Sequence, residues 1–132
     1  MKNFQSESTA SGDEFERIVN EDLVSKGYTI LDTNVRIPGI GINVDYIAEK
    51  DGVMEYGEDK GGKSGPKKRP GARRTDSVKK AICNGSLLKA KYPDAKYVIY
   101  FSARPTEGNS SDEMIKTALE AGYVDEVRYL SY

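Results

Sequence analysis

The chain has 132 residues, a net charge of −1, one cysteine and no histidine. That length makes a single domain able to bury one core without staples. The lone Cys83 excludes a disulfide framework and a cysteine cage for zinc, and the missing histidine excludes His-dependent nucleases, His-containing zinc sites and Ser-His-Asp hydrolysis.

Residues 1–10 are polar and are expected to be flexible. Ser11 to Glu14 reads as a capping box, Ser-x-x-Glu, opening a helix. Phe15, Ile18, Val19, Leu23 and Val24 continue it at helical spacing, and Lys26-Gly27 ends it. Tyr28 to Ile37 reads as a strand with Tyr28, Ile30 and Asp32 on one face, broken by Pro38-Gly39.

A hairpin follows. Ile42 to Ala48 alternates Ile42, Val44, Tyr46 and Ala48 on one face with Asn43, Asp45 and Ile47 on the other. Asp51-Gly52 supplies the positive-φ turn, and Val53 to Lys60 returns as the next strand. Met54, Tyr56, Glu58 and Lys60 then share one face, and Val53, Glu55, Gly57 and Asp59 the other. Antiparallel return brings Asp45 towards Glu58. Two carboxylates beside an ammonium suit a hard cation such as Mg²⁺, with Mn²⁺ as a substitute, because such ions prefer carboxylate oxygens and water. The ion polarises a phosphoryl oxygen and acidifies a bound water, and a lysine orients that water or offsets charge on the phosphorane. Asp45, Glu58 and Lys60 are therefore the candidate catalytic residues for phosphodiester hydrolysis.

Residues 61–74 (GGKSGPKKRPGARR) carry no apolar period and read as a long basic loop. Between Lys60 and Lys80 lie nine basic residues and one acid, so this stretch is +8 and the remainder −9. Positive charge concentrated next to the acidic cluster is where a phosphate backbone would lie. Lys63, Lys67, Lys68, Arg69, Arg73, Arg74, Lys79 and Lys80 are the candidate nucleic-acid contacts, and any of the arginines can instead reach a guanine edge.

Thr75 or Asp76 is expected to cap a second helix running to about Lys91, with Val78, Ala81, Ile82 and Leu88 on its apolar side and Cys83 as a small buried side chain. Gly85 in its middle allows close approach to the sheet. Tyr97 to Ser102 reads as a buried strand and Arg104 to Asn109 as a loop. Ser110-x-x-Glu113 is a second capping box. It opens a helix that buries Met114, Ile115, Ala118 and Leu119 and ends at Gly122, and Val124 to Tyr129 reads as the last strand. Most of the nine tyrosines fall on strands and are expected to pack in the core with the hydroxyl at its edge.

Gly41 to Lys60 (GINVDYIAEKDGVMEYGEDK) resembles the catalytic core of the PD-(D/E)XK nuclease superfamily, and Ser11 to Val19 is similar to the first helix of its Holliday junction resolvase-like branch. The resemblance covers roughly residues 11–102. It implies a restriction endonuclease-like α/β fold and metal ligation by Glu16, Asp45 and Glu58, with the carbonyl of Asp59 as a further ligand and Lys60 as the catalytic lysine. Glu16 lies at the edge of its helix's apolar stripe, and on the residues alone Glu14 and Glu21 are alternatives. Val44 stands where the superfamily often has proline, and Asp59 where an apolar residue is common.

The element order α-β-β-β-α-β-α-β implies a mixed sheet of four or five strands flanked by helices, parallel at its later end. The expected function is a Mg²⁺-dependent endonuclease acting on duplex or branched DNA, as a homodimer because cutting two strands needs two sites. No apolar run approaches a membrane span and no hydrophobic signal core precedes the helix, so the expected setting is intracellular and cytoplasmic, away from membranes. The competing readings are a catalytically inactive nucleic-acid-binding module and a small interaction protein.

Overall fold

Strand periodicity organises the molecule. The computed structural model describes the backbone of residues 4–62 and 70–132, with side chains in the first helix described from Glu14 onward. The elements are α1 (Phe4–Ser25), β1 (Thr29–Ile37), β2 (Ile42–Lys50), β3 (Val53–Lys60), α2 (Thr75–Lys91), β4 (Lys96–Phe101), α3 (Ser110–Ala121) and β5 (Glu126–Tyr129), with a short 3-10 turn at Gly71–Arg73. The five strands form one sheet in chain order. β1, β2 and β3 are antiparallel neighbours, whereas β3, β4 and β5 are parallel. This is the mixed α/β architecture expected from the sequence.

β4 divides the core cleanly. Tyr97, Ile99 and Phe101 point to one face, where α2 and α3 bring Val78, Ala81, Leu88, Ile115 and Ala118. Val98 and Tyr100 point to the other, where α1 brings Phe15, Val19 and Leu23. Such alternation along a strand covered on both faces gives a nearly continuous apolar run, which is why YVIYF reads so clearly. The hairpin turn uses positive φ at Asp51 and Gly52, as the Asp-Gly pair predicts.

Close approaches hold the central strand. A Cβ at Gly57 would lie 1.9 Å from the Tyr46 ring. Tyr46 therefore lies directly over β3, and its hydroxyl donates to Glu55. Glu55 is fully buried, and its two oxygens also accept from Arg128 at 2.9 and 3.0 Å. Lys96 adds a third cationic contact at 3.2 Å. Burial works to raise the Glu55 pKa, but the Arg128, Tyr46 and Lys96 contacts outweigh it and hold the carboxyl below its usual value. Arg128 comes from β5 and Tyr46 from β2, so one buried carboxylate ties together strands far apart in the sheet. Gly85 lets α2 descend onto Tyr97, as anticipated; a Cβ there would come within 2.6 Å of that ring.

Several boundaries differ from expectation. Residues 4–10 are helical rather than loose, and the Ser11–Glu14 box lies inside α1, because no glycine or proline interrupts the segment before Gly12. α2 is preceded by Arg74 with no side-chain cap, so neither Thr75 nor Asp76 is the cap. α3 is capped by Asn109, whose side chain accepts the Asp112 N–H, one residue before the expected Ser110. A register shift between Ile30 and Asp32 spoils the simple alternation of β1. Cys83 and Leu119 are exposed, not buried, because α2 and α3 turn those positions away from the sheet. Tyr46, Tyr97 and Tyr100 are core residues with hydrogen-bonded hydroxyls, whereas Tyr92 and Tyr123 are exposed.

Gly57→Ala is expected to destabilise the fold by about 1–3 kcal/mol through overpacking against Tyr46, read as a lower urea midpoint at unchanged m-value; an unchanged midpoint would show that Tyr46 moves aside freely.

Candidate functional site

The site forms where β2 and β3 part. Their last paired residues are Tyr46 and Gly57. Asp45 is the next residue on β2, and beyond this point β3 has lost its main-chain partner on that side. The side chain of Asp45 replaces it: Oδ2 accepts the backbone N–H of Asp59 at 2.7 Å. A buried N–H needs a partner, so this bond also fixes the position of Asp45.

Glu58 faces the same side as Tyr56 and Lys60, towards α2. It is only 4 % exposed. Asn84 of α2 donates to its Oε1 at 2.9 Å, and its carboxyl is in hydrogen-bond contact with that of Asp45. Burial and then the neighbouring Asp45 push the Glu58 carboxyl up to about 8, against the opposing effects of Asn84 and Lys60. Burial and a neighbouring carboxylate both disfavour the charged form of Glu58, and a nearby cation would favour it.

Asp59 points to the opposite face, towards α1. Its Oδ1 is withdrawn from solvent and has no hydrogen-bond partner among the described residues. Burial, with Asp45, Glu16 and Glu58 nearby, raises its pKa well above the usual carboxylate value, and Lys60 offsets only part of that. Glu16 is brought near because α1 crosses the end of β3: a Cβ at Gly61 would lie 2.7 Å from Phe15. The five sequence-predicted residues Glu16, Asp45, Glu58, Asp59 and Lys60 thus gather at one end of β3, divided between its two faces. Among the described residues, no three acidic or cysteine side chains converge as a closed metal cage requires.

Arg73, Arg74, Lys79 and Lys80 are exposed at the start of α2, and Arg74 pairs with Asp76 at 3.3 Å. Lys63, Lys67, Lys68 and Arg69 lie outside the described residues. The ends of the basic loop are anchored: Ser102 Oγ donates to the Gly62 carbonyl, the Gly71 N–H to the Gly61 carbonyl and the Ala72 N–H to the Ala103 carbonyl. The loop therefore begins and ends at the carboxyl edge of β3 and β4, beside Lys60.

Sequence reasoning missed Asn84. Its signal is helical: Val78, Ala81, Gly85 and Leu88 make the buried stripe of α2, and Asn84 is a polar residue three positions after Ala81 on that side.

No family model matches the chain, and no curated protein matches it. Among solved structures, the Pyrococcus furiosus SfsA in complex with Ca²⁺ is similar, with a TM-score of 0.55 and 20 % identity over 92 % of this chain and 55 % of that one. The chain therefore spans about half the length of that protein, and the likeness is one of fold.

The raised Glu58 pKa has a pH signature. A carboxyl whose folded pKa lies above its unfolded value contributes stability that is complete below the unfolded pKa and is lost as pH rises through the folded one. With Glu58 moving from 4.5 to about 8, cation-free protein is expected to lose stability between those pH values. Glu58→Gln is expected to flatten that slope in pH-resolved urea melts; an equally steep slope in the variant would contradict the assignment.

Proposed function

We propose that this domain is a Mg²⁺-dependent DNA endonuclease, with Mn²⁺ as a substitute ion, that hydrolyses phosphodiester bonds in duplex or branched DNA. The observation that carries the reading is the buried Asp45–Glu58 pair beside Lys60. The crowded Asp45–Glu58 pair, with the Glu58 carboxyl pushed up, and the raised Asp59 carboxyl on the other face of β3 form an electrostatic arrangement that a cation would relieve. A pair of carboxylates suits Mg²⁺, which keeps several waters and is held by one or two carboxylates together with substrate phosphate.

Asp45 and Glu58 would hold the ion, with Glu16 and the carbonyl of Asp59 supplementing them. When bound, it supplies phosphoryl polarisation and a more acidic water. The chain's own groups do the positioning. The Asp59 N–H holds Asp45 through one oxygen, with the Asp45 carboxyl in contact with that of Glu58. Asn84 fixes one oxygen of Glu58 and leaves the second available. Lys60 brings positive charge to both Glu58 and Asp59, and in this reading it would orient water or offset charge on the phosphorane.

Arg73, Arg74, Lys79 and Lys80 start α2 at the same edge, where the helix dipole also favours phosphate. Cutting both strands calls for two such sites, hence a homodimer. The unpaired Cys83 suits a reducing, intracellular setting. Among the described residues, no helix is long and apolar enough to cross a membrane. One observation favours the alternative of a non-catalytic DNA-binding module, namely the lack of a closed carboxylate cage among the described residues.

Incubation with supercoiled plasmid, linear duplex and a four-way junction separates the two. Cutting that requires Mg²⁺ or Mn²⁺ is expected, and Lys60→Ala is expected to slow it by about 10²–10³-fold while DNA binding is retained. Binding of all three substrates with no cutting in either metal would establish the non-catalytic module instead.

A further inference from the structure

The parallel half of the sheet aligns three residues in a row. Lys60 of β3 pairs with Phe101 of β4, and Phe101 pairs with Tyr129 of β5. Strands are spaced about 4.8 Å apart, so Tyr129 lies about 10 Å across the sheet from Lys60. The Phe101 and Tyr129 rings are stacked, with centroids 6.0 Å apart. Tyr129 in turn carries the guanidinium of Arg104, 4.5 Å above its ring centroid.

Arg104 is exposed, on the loop that leaves β4, yet the stack holds its guanidinium in place. Arg128 is different: its guanidinium is committed to Glu55, Glu126 and two tyrosine hydroxyls. No hydrogen bond or ion pair engages Arg104 among the described residues, so a guanidinium of fixed orientation presents open donors. Asp112 acts electrostatically on Tyr129, but its carboxylate is already committed to the Gly108 N–H and to Lys116. Ligands of sheets with parallel strands gather at the carboxyl ends of those strands, and Lys60, Arg104 and Tyr129 all lie at that edge.

We propose that Arg104, seated on Tyr129, is a phosphate contact for the nucleic-acid strand that passes Lys60. A planar guanidinium suits a phosphate because two N–H groups can bond two oxygens at once. This extends the binding edge beyond the basic stretch, across two further strands, and it rests on the DNA-binding part of the proposed function.

The test is binding of a labelled 20-base-pair duplex by the full chain in EDTA, which prevents cutting, over a series of salt concentrations. Arg104→Ala is expected to weaken binding about five- to tenfold at 0.1 M salt and to reduce the slope of log K against log salt by about one. Arg104→Lys is expected to recover the slope, and Lys116→Ala to leave it unchanged. Arg104→Ala with the wild-type affinity and slope would overturn the contact. An equal loss in Lys116→Ala would also overturn it, by showing a bulk charge effect. A wild-type chain that does not bind the duplex at all would instead remove the DNA-binding reading itself.

Discussion

Everything at the candidate site depends on one missing pair in the β2–β3 ladder. Past Tyr46 and Gly57 the strands separate, and the orphaned Asp59 N–H takes the carboxylate of Asp45 as its acceptor. That bond draws Asp45 against Glu58 in a place from which water is largely excluded. Regular pairing would have satisfied the N–H with a carbonyl and left Asp45 free to turn towards solvent. The crowding of Asp45 against Glu58, and with it the raised Glu58 carboxyl, is therefore a consequence of backbone hydrogen-bond accounting.

The opposite face explains why β3 can tolerate this. Glu55 is two positions after Val53 and two before Gly57, on the α1 side, and its charge is balanced by Arg128, Lys96 and Tyr46. Breaking such a buried ion pair is costly, since one charge would remain uncompensated. Tyr100 joins the same network through Arg128 and Asp22. The result is a central strand with compensated charge near its start and crowded, only partly compensated carboxyls at its carboxyl end. The second condition suits binding, because an added cation or phosphate-bound cation has something to stabilise.

Much of this was legible in the residues. The two-residue period of β2 and β3 put Glu58 and Lys60 on one face, and Asp-Gly fixed the hairpin that returns Asp45 to them. YVIYF announced a strand buried on both faces, and the α-β-β-β-α-β-α-β order implied the mixed sheet. Less legible was anything set by tertiary contact. The pairing of Asp45 with the Asp59 N–H requires knowing where the ladder stops. Asn84 reads as one polar residue in an amphipathic helix until α2 is laid over Glu58. Local capping signals misled at three helices, at Ser11, at Thr75 or Asp76 and at Ser110, because a helix extends or starts wherever a competing cap or an uninterrupted segment allows. Glu55 and Arg128 are 73 residues apart, and no local pattern links them.

The central claim is that Asp45 and Glu58 are held together to share a divalent cation rather than a proton. Crystals grown near neutral pH and soaked in Mn²⁺ would test it directly through anomalous scattering. The account predicts a peak between the two carboxylates, within bonding distance of an oxygen of each, with Lys60 beside it. Carboxylates still in mutual hydrogen-bond contact, with no anomalous peak between them at saturating Mn²⁺, would contradict it.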